Sequence, residues 1–189
     1  MEDLSLHILD IAENATAAGA RLVEITIDQD TARDRLEVVI RDNGRGMDRE
    51  MLEKAGDPFF TTRTTRRVGL GLSLLQQATR EAGGEFFIRS KPGQGTEVRA
   101  TFQVSHIDRK PLGDMGSTLV SLILGNPDVD FVYTFNFDGE QTTLDTRMIK
   151  AELDDTTTIS DPTILNLIKN ICEGDRDKGF ATDGGEKNG

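Results

Sequence analysis

Two short glycine-containing segments constrain the fold of this 189-residue chain more than any other feature. The first, Asp-Asn-Gly-Arg-Gly at 42–46, follows an alternating apolar run, and the second, Gly-Leu-Gly-Leu at 69–72, opens a run with helical periodicity. Glycine permits positive φ angles and close approach of a ligand to the backbone, and the free N–H groups of a helix start attract anions. The first segment predicts either an ordinary turn or a place where a planar ligand approaches the backbone, and the second predicts either a helix-start loop or a phosphate site.

Hydrophobic periodicity along the whole chain predicts an α+β fold. The strands 22–28 and 36–41, joined by a polar turn, are expected to pair antiparallel, and Asp138-Gly139 is a strong two-residue hairpin signal. The predicted order is helix 4–18, strands 22–28 and 36–41, helices 48–55 and 70–82, strands 85–90 and 96–104, helix 112–124, strands 131–137 and 140–146, and helices 147–153 and 162–172.

The pattern of predicted elements changes after about residue 105 to a helix and a hairpin, and most of the net acidic charge lies after this point. Lys and Arg number 14 before this point against 17 Asp and Glu, whereas the remainder carries 8 against 16. We therefore expect one domain over 1–105 and a small α+β domain of unknown role over 106–173. Residues 174–189 carry mostly glycine and charge, which leaves too little apolar surface to order them, so a disordered tail is expected there.

Composition excludes several classes of protein. A net charge of −11 repels nucleic acid backbones and anionic lipid surfaces, so neither nucleic acid nor a membrane is expected as a partner. Cys172 is the only cysteine, which rules out an intrachain disulfide and points to a reducing compartment. With an acidic N-terminus and no long apolar segment, the chain is expected to be cytoplasmic.

Asp10 and Asn14 are the first candidate ligands, because residues four apart lie on one face of a helix. A carboxylate beside an amide oxygen suits Mg²⁺ or its bound waters, although a solvated helix face gives the same pattern. Asp42 can accept a hydrogen bond from an exocyclic amine, or it can simply begin a turn. The phosphate-loop and Rossmann signatures are both missing from the sequence, so a nucleotide would have to bind in another way.

In this order and spacing the motifs resemble the GHKL superfamily of gyrase, heat-shock chaperone, histidine kinase and MutL-type ATPases, over roughly residues 4–105. The segment 8–20 around Asn14 is similar to the N box, and Asp42 to Gly46 matches the Asp-x-Gly-x-Gly box. Residues 57–63 match the F box, Gly69 to Leu72 the Gly-x-Gly-Leu box, and 93–96 the last box.

The resemblance implies a two-layer α/β sandwich of the Bergerat type, in which helices cover one face of a mixed sheet, with ATP and Mg²⁺ as cofactors. It assigns Asp42 to the adenine amino group, supported by Thr96, and Asn14 to Mg²⁺. It also assigns the ribose and phosphate surroundings to Gly44, Gly46, Gly69, Leu70, Gly71 and Leu72, and lid contacts to Arg63, Arg66 and Arg67, which as exposed arginines can equally be solvated.

Three departures from the family pattern bear on function. Asp10 stands where these ATPases usually carry a glutamate base, Ala17 replaces a basic residue, and no helical pair with a phosphoacceptor histidine precedes the N box. His7 is expected on the helix surface. The resemblance implies an ATPase or a serine/threonine protein kinase-like regulator with Asp10 as base, or else a nucleotide-gated interaction switch, acting on an unidentified protein partner that the resemblance associates with redox or hydrogenase systems.

Overall fold

The computed structural model describes residues 3–55 and 70–180. Its elements follow the predicted order, with most boundaries within three residues of the expected positions. They are α1 (Leu4–Ala17), β1 (Leu22–Asp30), β2 (Arg35–Asp42), α2 (Arg49–Lys54), α3 (Leu70–Glu81), β3 (Phe86–Lys91), β4 (Gly95–Gln103), α4 (Met115–Gly125), β5 (Asp130–Phe137), β6 (Glu140–Asp145), α5 (Thr146–Glu152) and α6 (Pro162–Phe180).

All six strands form one mixed sheet in the order β3-β4-β2-β1-β5-β6. The expected antiparallel pairing of β1 with β2 is confirmed, with Ile25 opposite Ile40, while β5 lies parallel to β1 on its other side. The hairpin between β5 and β6 turns at Asp138 and Gly139, both with positive φ, as the sequence predicts. The mixed sheet with its helices confirms the predicted α+β fold class.

The two faces of the sheet differ sharply. On β1, Val23, Ile25 and Ile27 have no exposed surface, whereas the residues between them are half-buried. Apolar residues of α1, α3, α4 and α6 pack with the buried strand residues into one core on this inner face. The outer face carries ion pairs instead, such as the pair of Arg89 with Glu97. Alternation of period two in the strands therefore decides which face the helices cover.

The sheet crosses the boundary that the pattern of elements predicts at residue 105. Phe131, Tyr133 and Phe135 of β5 are at most 1% exposed, and β5 pairs with β1 from Leu22 to Gln29. Residues on both sides of the predicted boundary therefore share one sheet and one core. The last helix also extends to Phe180, eight residues beyond its expected end, while residues 181–189 lie outside the described part of the chain.

The segment before α4 fixes the start of α1. The N–H groups of Leu4 and Ser5 donate to the carbonyls of Pro111 and Leu112, at 2.9 and 2.8 Å, which satisfies donors that a helix start leaves free. Asp3 caps the same helix by accepting from the N–H of Leu6. Within residues 3–55 and 70–180, no helix combines the length and apolar character needed to cross a bilayer.

Candidate functional site

Three polar side chains form a row at one end of the sheet. Asp42 on β2 pairs in register with Thr96 on β4, which in turn pairs with Ser90 on β3. By strand alternation all three lie on the inner face, in line with the buried Ile40 and Val98. Two of the residues singled out by the sequence, Asp42 and Thr96, are thus brought side by side under the helices.

The Asp42 carboxylate is half-buried and anchored by the backbone. Its Oδ1 accepts from the N–H of Gly44 at 2.8 Å. Burial raises the pKa of Asp42 above its ordinary value, while hydrogen bonds from the N–H groups of Gly44 and Thr96 act in the opposite direction. A partly desolvated acceptor with a fixed position suits recognition of a neutral donor, such as an exocyclic amine.

Ser90 is a member of this row that sequence reasoning missed. Its Oγ accepts from the N–H of Met47 at 2.8 Å, donates to the carbonyl of Gly95 at 2.8 Å, and lies 2.9 Å from Thr96 Oγ1. A signal was available in the sequence, because Ser90 has the same strand parity as Ile88 in a strand predicted to pair with the one that begins at Thr96. A single serine in a strand is too common to be noticed without the register.

Gly46, in the loop after β2, and Gly95, at the start of β4, are required because the backbones of these two segments pack against each other. A Cβ at Gly46 would lie 2.0 Å from the carbonyl oxygen of Lys91, and one at Gly95 would lie 1.9 Å from that of Asp42. Both glycines also have positive φ. Packing of one backbone on another therefore explains these two positions before any ligand is considered.

The end of α1 closes onto the same loop. The N–H of Arg45 donates to the carbonyl of Ala18 at 3.0 Å, and a Cβ at Gly44 would lie 3.0 Å from that oxygen. Asn43 secures the other side by accepting from the N–H groups of Arg21 and Leu22. Asn14 lies one helical turn before Ala18, so it stands on the inner side of the sheet near the loop that follows Asp42.

Asp10 lies at the opposite end of this arrangement, against the first turn of α3. A Cβ at Gly71 would be 1.7 Å from Asp10 Oδ2, so glycine is needed there for the carboxylate to approach the helix. Both Asp10 and Asn14 are half-buried. The expectation for His7 was wrong: it is only 1% exposed, because the turn of α1 that carries it packs inward with Leu4 and Ile8.

Of the remaining residues that the resemblance assigns to the nucleotide site, two lie in α3 and the others lie outside the described residues. Leu70 begins α3, and the half-buried Leu72 packs against the core. Four assigned residues lie outside the described residues, as does the segment 57–63; these four are Arg63, Arg66, Arg67 and Gly69.

The described residues offer few metal ligands. No group of three or more His, Cys, Asp or Glu side chains converges on a metal position in the described segments 3–55 and 70–180. Asn14 and Asp10 offer oxygen donors from one helix. Such a sparse set fits Mg²⁺, which keeps several waters and binds through phosphates and one or two side chains.

Comparison with known proteins agrees with this geometry. The profile of the histidine kinase-, DNA gyrase B- and HSP90-like ATPase family matches residues 2–106. The chain is 36% identical over 109 residues to a sensor protein of Shewanella frigidimarina, covering 57% of this chain and 17% of that protein. It is 38% identical over 89 residues to the sensor protein kinase FleS of Pseudomonas aeruginosa, covering 47% and 22%.

Among solved structures, the N-terminal domain of a DNA repair protein has a TM-score of 0.53 at 16% identity, covering 77% of this chain and 53% of that one. This similarity concerns the fold. The chain spans less than a quarter of the length of the two sensor proteins. The family profile covers more than half of the chain and ends three residues after β4, the strand that carries Thr96. The chain therefore belongs to the histidine kinase-, DNA gyrase B- and HSP90-like ATPases, the GHKL superfamily.

Proposed function

We propose that the chain binds Mg-ATP and transfers the γ-phosphoryl group, either to water or to a serine or threonine of a partner protein. Two contacts on the helix-covered side of the sheet carry this proposal: Asp42 pairs in register with Thr96 on the strands, and Asp10 of α1 approaches Gly71 of α3. Adenine binds at the strands, where Asp42 accepts from its amino group. The phosphates bind toward α3.

Mg²⁺, when bound, would neutralise phosphate charge and orient the terminal phosphate. Asn14 would hold it through its amide oxygen, together with water and the phosphates. The start of α3 contributes the positive end of the helix dipole. Gly44 and Gly71 keep the surrounding backbone free of side chains that would fill the space.

Asp10 acts as the base in this proposal. It is the carboxylate of α1 closest to the start of α3, and a base must lie within hydrogen-bond reach of the proton that it removes, directly or through one water. Its side chain is one methylene shorter than the glutamate usual in the family. We therefore expect slow turnover, because the water must come closer to α1 than in its relatives.

A second candidate function is a nucleotide-gated switch with little turnover. The contact between Asp10 and Gly71 favours it, since a carboxylate at the start of α3 repels a phosphate that approaches the same place, so that binding would displace one of the two. Binding would then be coupled to a change at the start of α3 that a partner protein can read. The acidic surface makes a cytoplasmic protein partner more suitable than nucleic acid.

Titration calorimetry with ATP and Mg²⁺ tests the binding step. The wild-type protein should bind ATP, and Asp42→Asn should weaken binding by tenfold or more, since the amide loses the charge-assisted bond to the adenine amine, about 1.5–3 kcal/mol. Asp48→Asn is the matched control, because the Asp48 side chain caps α2 by accepting from the N–H of Met51. Equal affinities for wild type and Asp42→Asn would refute the adenine assignment.

Phosphate release and γ-labelled ATP separate the two functions. Under the enzymatic proposal, Asp10→Asn loses at least tenfold in release or in label transferred to a protein of the source lysate, while ATP affinity is kept. Glu13→Gln, an exposed carboxylate on the same helix, should change neither quantity. Tight ATP binding with no release and no labelled protein would identify the switch instead.

A further inference from the structure

We propose that Ser90 is a positioning residue that fixes the direction of the Thr96 hydroxyl and so makes the base site selective for a 6-amino over a 6-oxo purine. This inference rests on the proposed function, because it concerns the base that the Asp42–Thr96 row receives. It begins from the three hydrogen bonds of Ser90, which the assignment of adenine contacts does not use.

The hydrogens of these bonds can be counted. A serine hydroxyl carries one hydrogen and accepts through two lone pairs. The carbonyl of Gly95 can only accept, so the hydrogen in its 2.8 Å contact with Ser90 Oγ belongs to Ser90. The N–H of Met47 occupies one lone pair of the same oxygen.

The 2.9 Å contact between Ser90 Oγ and Thr96 Oγ1 must then take its hydrogen from Thr96. Because the hydroxyl hydrogen of Ser90 is already donated to Gly95, Thr96 donates to Ser90, and only the lone pairs of the Thr96 oxygen remain for any other neighbour. Thr96 therefore presents an acceptor, and not a donor, to the base site. A threonine without this partner would rotate freely and could serve as either.

Asp42, like Thr96, presents only hydrogen-bond acceptors to the base site. An ionised carboxylate only accepts hydrogen bonds, and the N–H of Gly44 already occupies one position on Oδ1. Two neighbouring acceptors at one end of the sheet require a donor from the ligand. A 6-amino group supplies two hydrogens, one for each acceptor, whereas a 6-oxo group turns lone pairs toward both acceptors and leaves the base a donor on this edge only at N1.

Ser90 is well held for this task. It is half-buried in β3, paired in register with Thr96, and its bond from Met47 ties it to the residue that follows Gly46. The three bonds form a closed polar network, in which removal of one hydroxyl leaves the N–H of Met47 and the carbonyl of Gly95 without their partner. If Ser90 had a purely structural role, only its bonds to the backbone of Met47 and Gly95 would matter. The experiment must therefore separate the effect of these two bonds from the effect of the bond to Thr96.

The test compares affinities for ATP and ITP, which differ only at the 6-position and at N1 of the base. Calorimetry on the full chain with Mg²⁺ gives the ratio of the two affinities for wild type, Ser90→Ala, Ser90→Thr and Ser121→Ala. Ser90→Ala should lower the ATP preference about tenfold, the value of one hydrogen bond. Ser90→Thr retains the hydroxyl and should restore the preference.

Ser121→Ala is the matched control, because Ser121 only donates to the carbonyl of Ser117 within α4 and should leave the ratio unchanged. If Ser90→Ala does not fold, Ser90→Cys keeps the volume with a weak donor and should lower the ratio in the same direction. In a Thr96→Val background, Ser90→Ala should change the ratio no further, since the hydroxyl through which Ser90 acts is gone.

Equal loss of ATP and ITP affinity in Ser90→Ala and Ser90→Cys would overturn the inference and leave Ser90 a structural residue, with the proposed function intact. A further fall of the ratio in the Thr96→Val background would overturn it as well. Failure of the wild-type protein to bind ATP would refute the proposed function itself, which is a separate result.

Discussion

The Asp10 carboxylate of α1 lies against Gly71 in the first turn of α3, where a Cβ would stand 1.7 Å from Oδ2 and 2.8 Å from Cγ. Two of the predicted motifs, the N box and the Gly-x-Gly-Leu box, therefore meet through a side chain of one and a missing side chain of the other. The contact requires a residue without a Cβ at position 71 and a carboxylate in a fixed orientation at position 10. Substitutions at the two positions, alone and together, test both requirements.

Gly71→Ala is expected to leave the protein folded while removing phosphoryl transfer. Alanine favours a helix over glycine by up to about 1 kcal/mol, which offsets part of the collision because the Asp10 carboxylate can rotate away. That rotation takes the base out of position. Phosphate release should fall at least tenfold, with the Tm of the protein nearly unchanged.

The double variant Asp10→Ala/Gly71→Ala supplies the control for this prediction. With the carboxylate removed, the alanine meets no collision, so Gly71→Ala should now raise the free energy of unfolding by about 0.5–1 kcal/mol relative to Asp10→Ala alone. If Gly71→Ala destabilises both backgrounds equally, the contact with Asp10 is not what requires glycine.

Gly93 and Gly95 offer a matched pair within one hairpin. Both have positive φ, at 74° and 78°, but a Cβ at Gly93 meets nothing within 4 Å, whereas one at Gly95 would lie 1.9 Å from the Asp42 carbonyl oxygen. Gly93→Ala should cost about 1 kcal/mol from backbone strain. Gly95→Ala should cost about 3 kcal/mol, because a backbone atom cannot rotate away. Urea unfolding measures both, and similar losses would contradict the predicted contact.

The sequence predicted the parts of this fold that depend on local signals. Alternation in β1 and β2, the Asp138-Gly139 turn and the glycine after α1 each follow from neighbouring residues, and so does the pairing of β1 with β2. The parallel pairing of β5 with β1 does not follow, because it joins residues more than one hundred positions apart. The boundary predicted near residue 105 separates these two strands, whereas the sheet continues from one to the other.

The candidate site was predictable where a family motif marked it. Asp42 and Thr96 were identified and lie in register, but Ser90 was missed because its role depends on which strand lies beside β4. His7 was misplaced for a similar reason. Helical periodicity put Leu4 and Ile8 inward, and the packing of α1 buries the next face of the helix as well.

Asp42→Asn should stabilise the nucleotide-free protein. Since burial raises the pKa of Asp42, the folded state holds a proton more tightly than the unfolded state, and the free energy of unfolding falls as pH rises through that window. At neutral pH the buried charge is therefore a net cost. Its removal should raise the Tm by about 2–4 °C while ATP no longer raises it further.

Asp48→Asn should change neither the Tm nor its increase on addition of ATP, because asparagine caps a helix as well as aspartate does. A Tm for Asp42→Asn below that of wild type would show that the bonds to Gly44 and Thr96 outweigh the cost of burial. The same measurement at pH 5, where the wild-type carboxyl takes up protons more readily, should narrow the difference between the two proteins.

Phe131→Ala tests whether residues after 105 fold together with the family domain. Phe131 has no exposed surface on β5, so truncation should cost about 3–5 kcal/mol. The chain's one tyrosine, Tyr133, also lies on β5 and reports on this region in the near-ultraviolet, while far-ultraviolet circular dichroism reports on all helices. Both signals should shift together to a lower Tm in one transition.

Phe87→Ala is the control, because this residue is 55% exposed on β3 and its truncation should cost less than about 1 kcal/mol. Two separate transitions, with only the tyrosine signal shifted by Phe131→Ala, would instead support two independent units.

His7 should make the protein sensitive to mild acid. It is 1% exposed, and neither ring nitrogen has a hydrogen-bond partner among the described residues. Burial is the main cause that lowers the pKa of His7 to about 4; nearby positive charge, such as that of Lys110, acts in the same direction, and Asp3 opposes the shift. The imidazole is thus neutral in the folded protein at neutral pH and charged in the unfolded chain below its ordinary pKa of 6.5.

The direction of the pH effect follows from proton binding. Between pH 6.5 and 4 the unfolded state binds more protons, so stability is complete above this window and falls as the pH falls through it, by at most about 3 kcal/mol. His7→Leu removes the titrating group and two unpartnered polar atoms. It should flatten the fall in the free energy of unfolding and raise its value at neutral pH. Urea unfolding at pH 8, 6 and 4.5 distinguishes these results, and an equally steep fall in His7→Leu would assign the acid sensitivity to other groups.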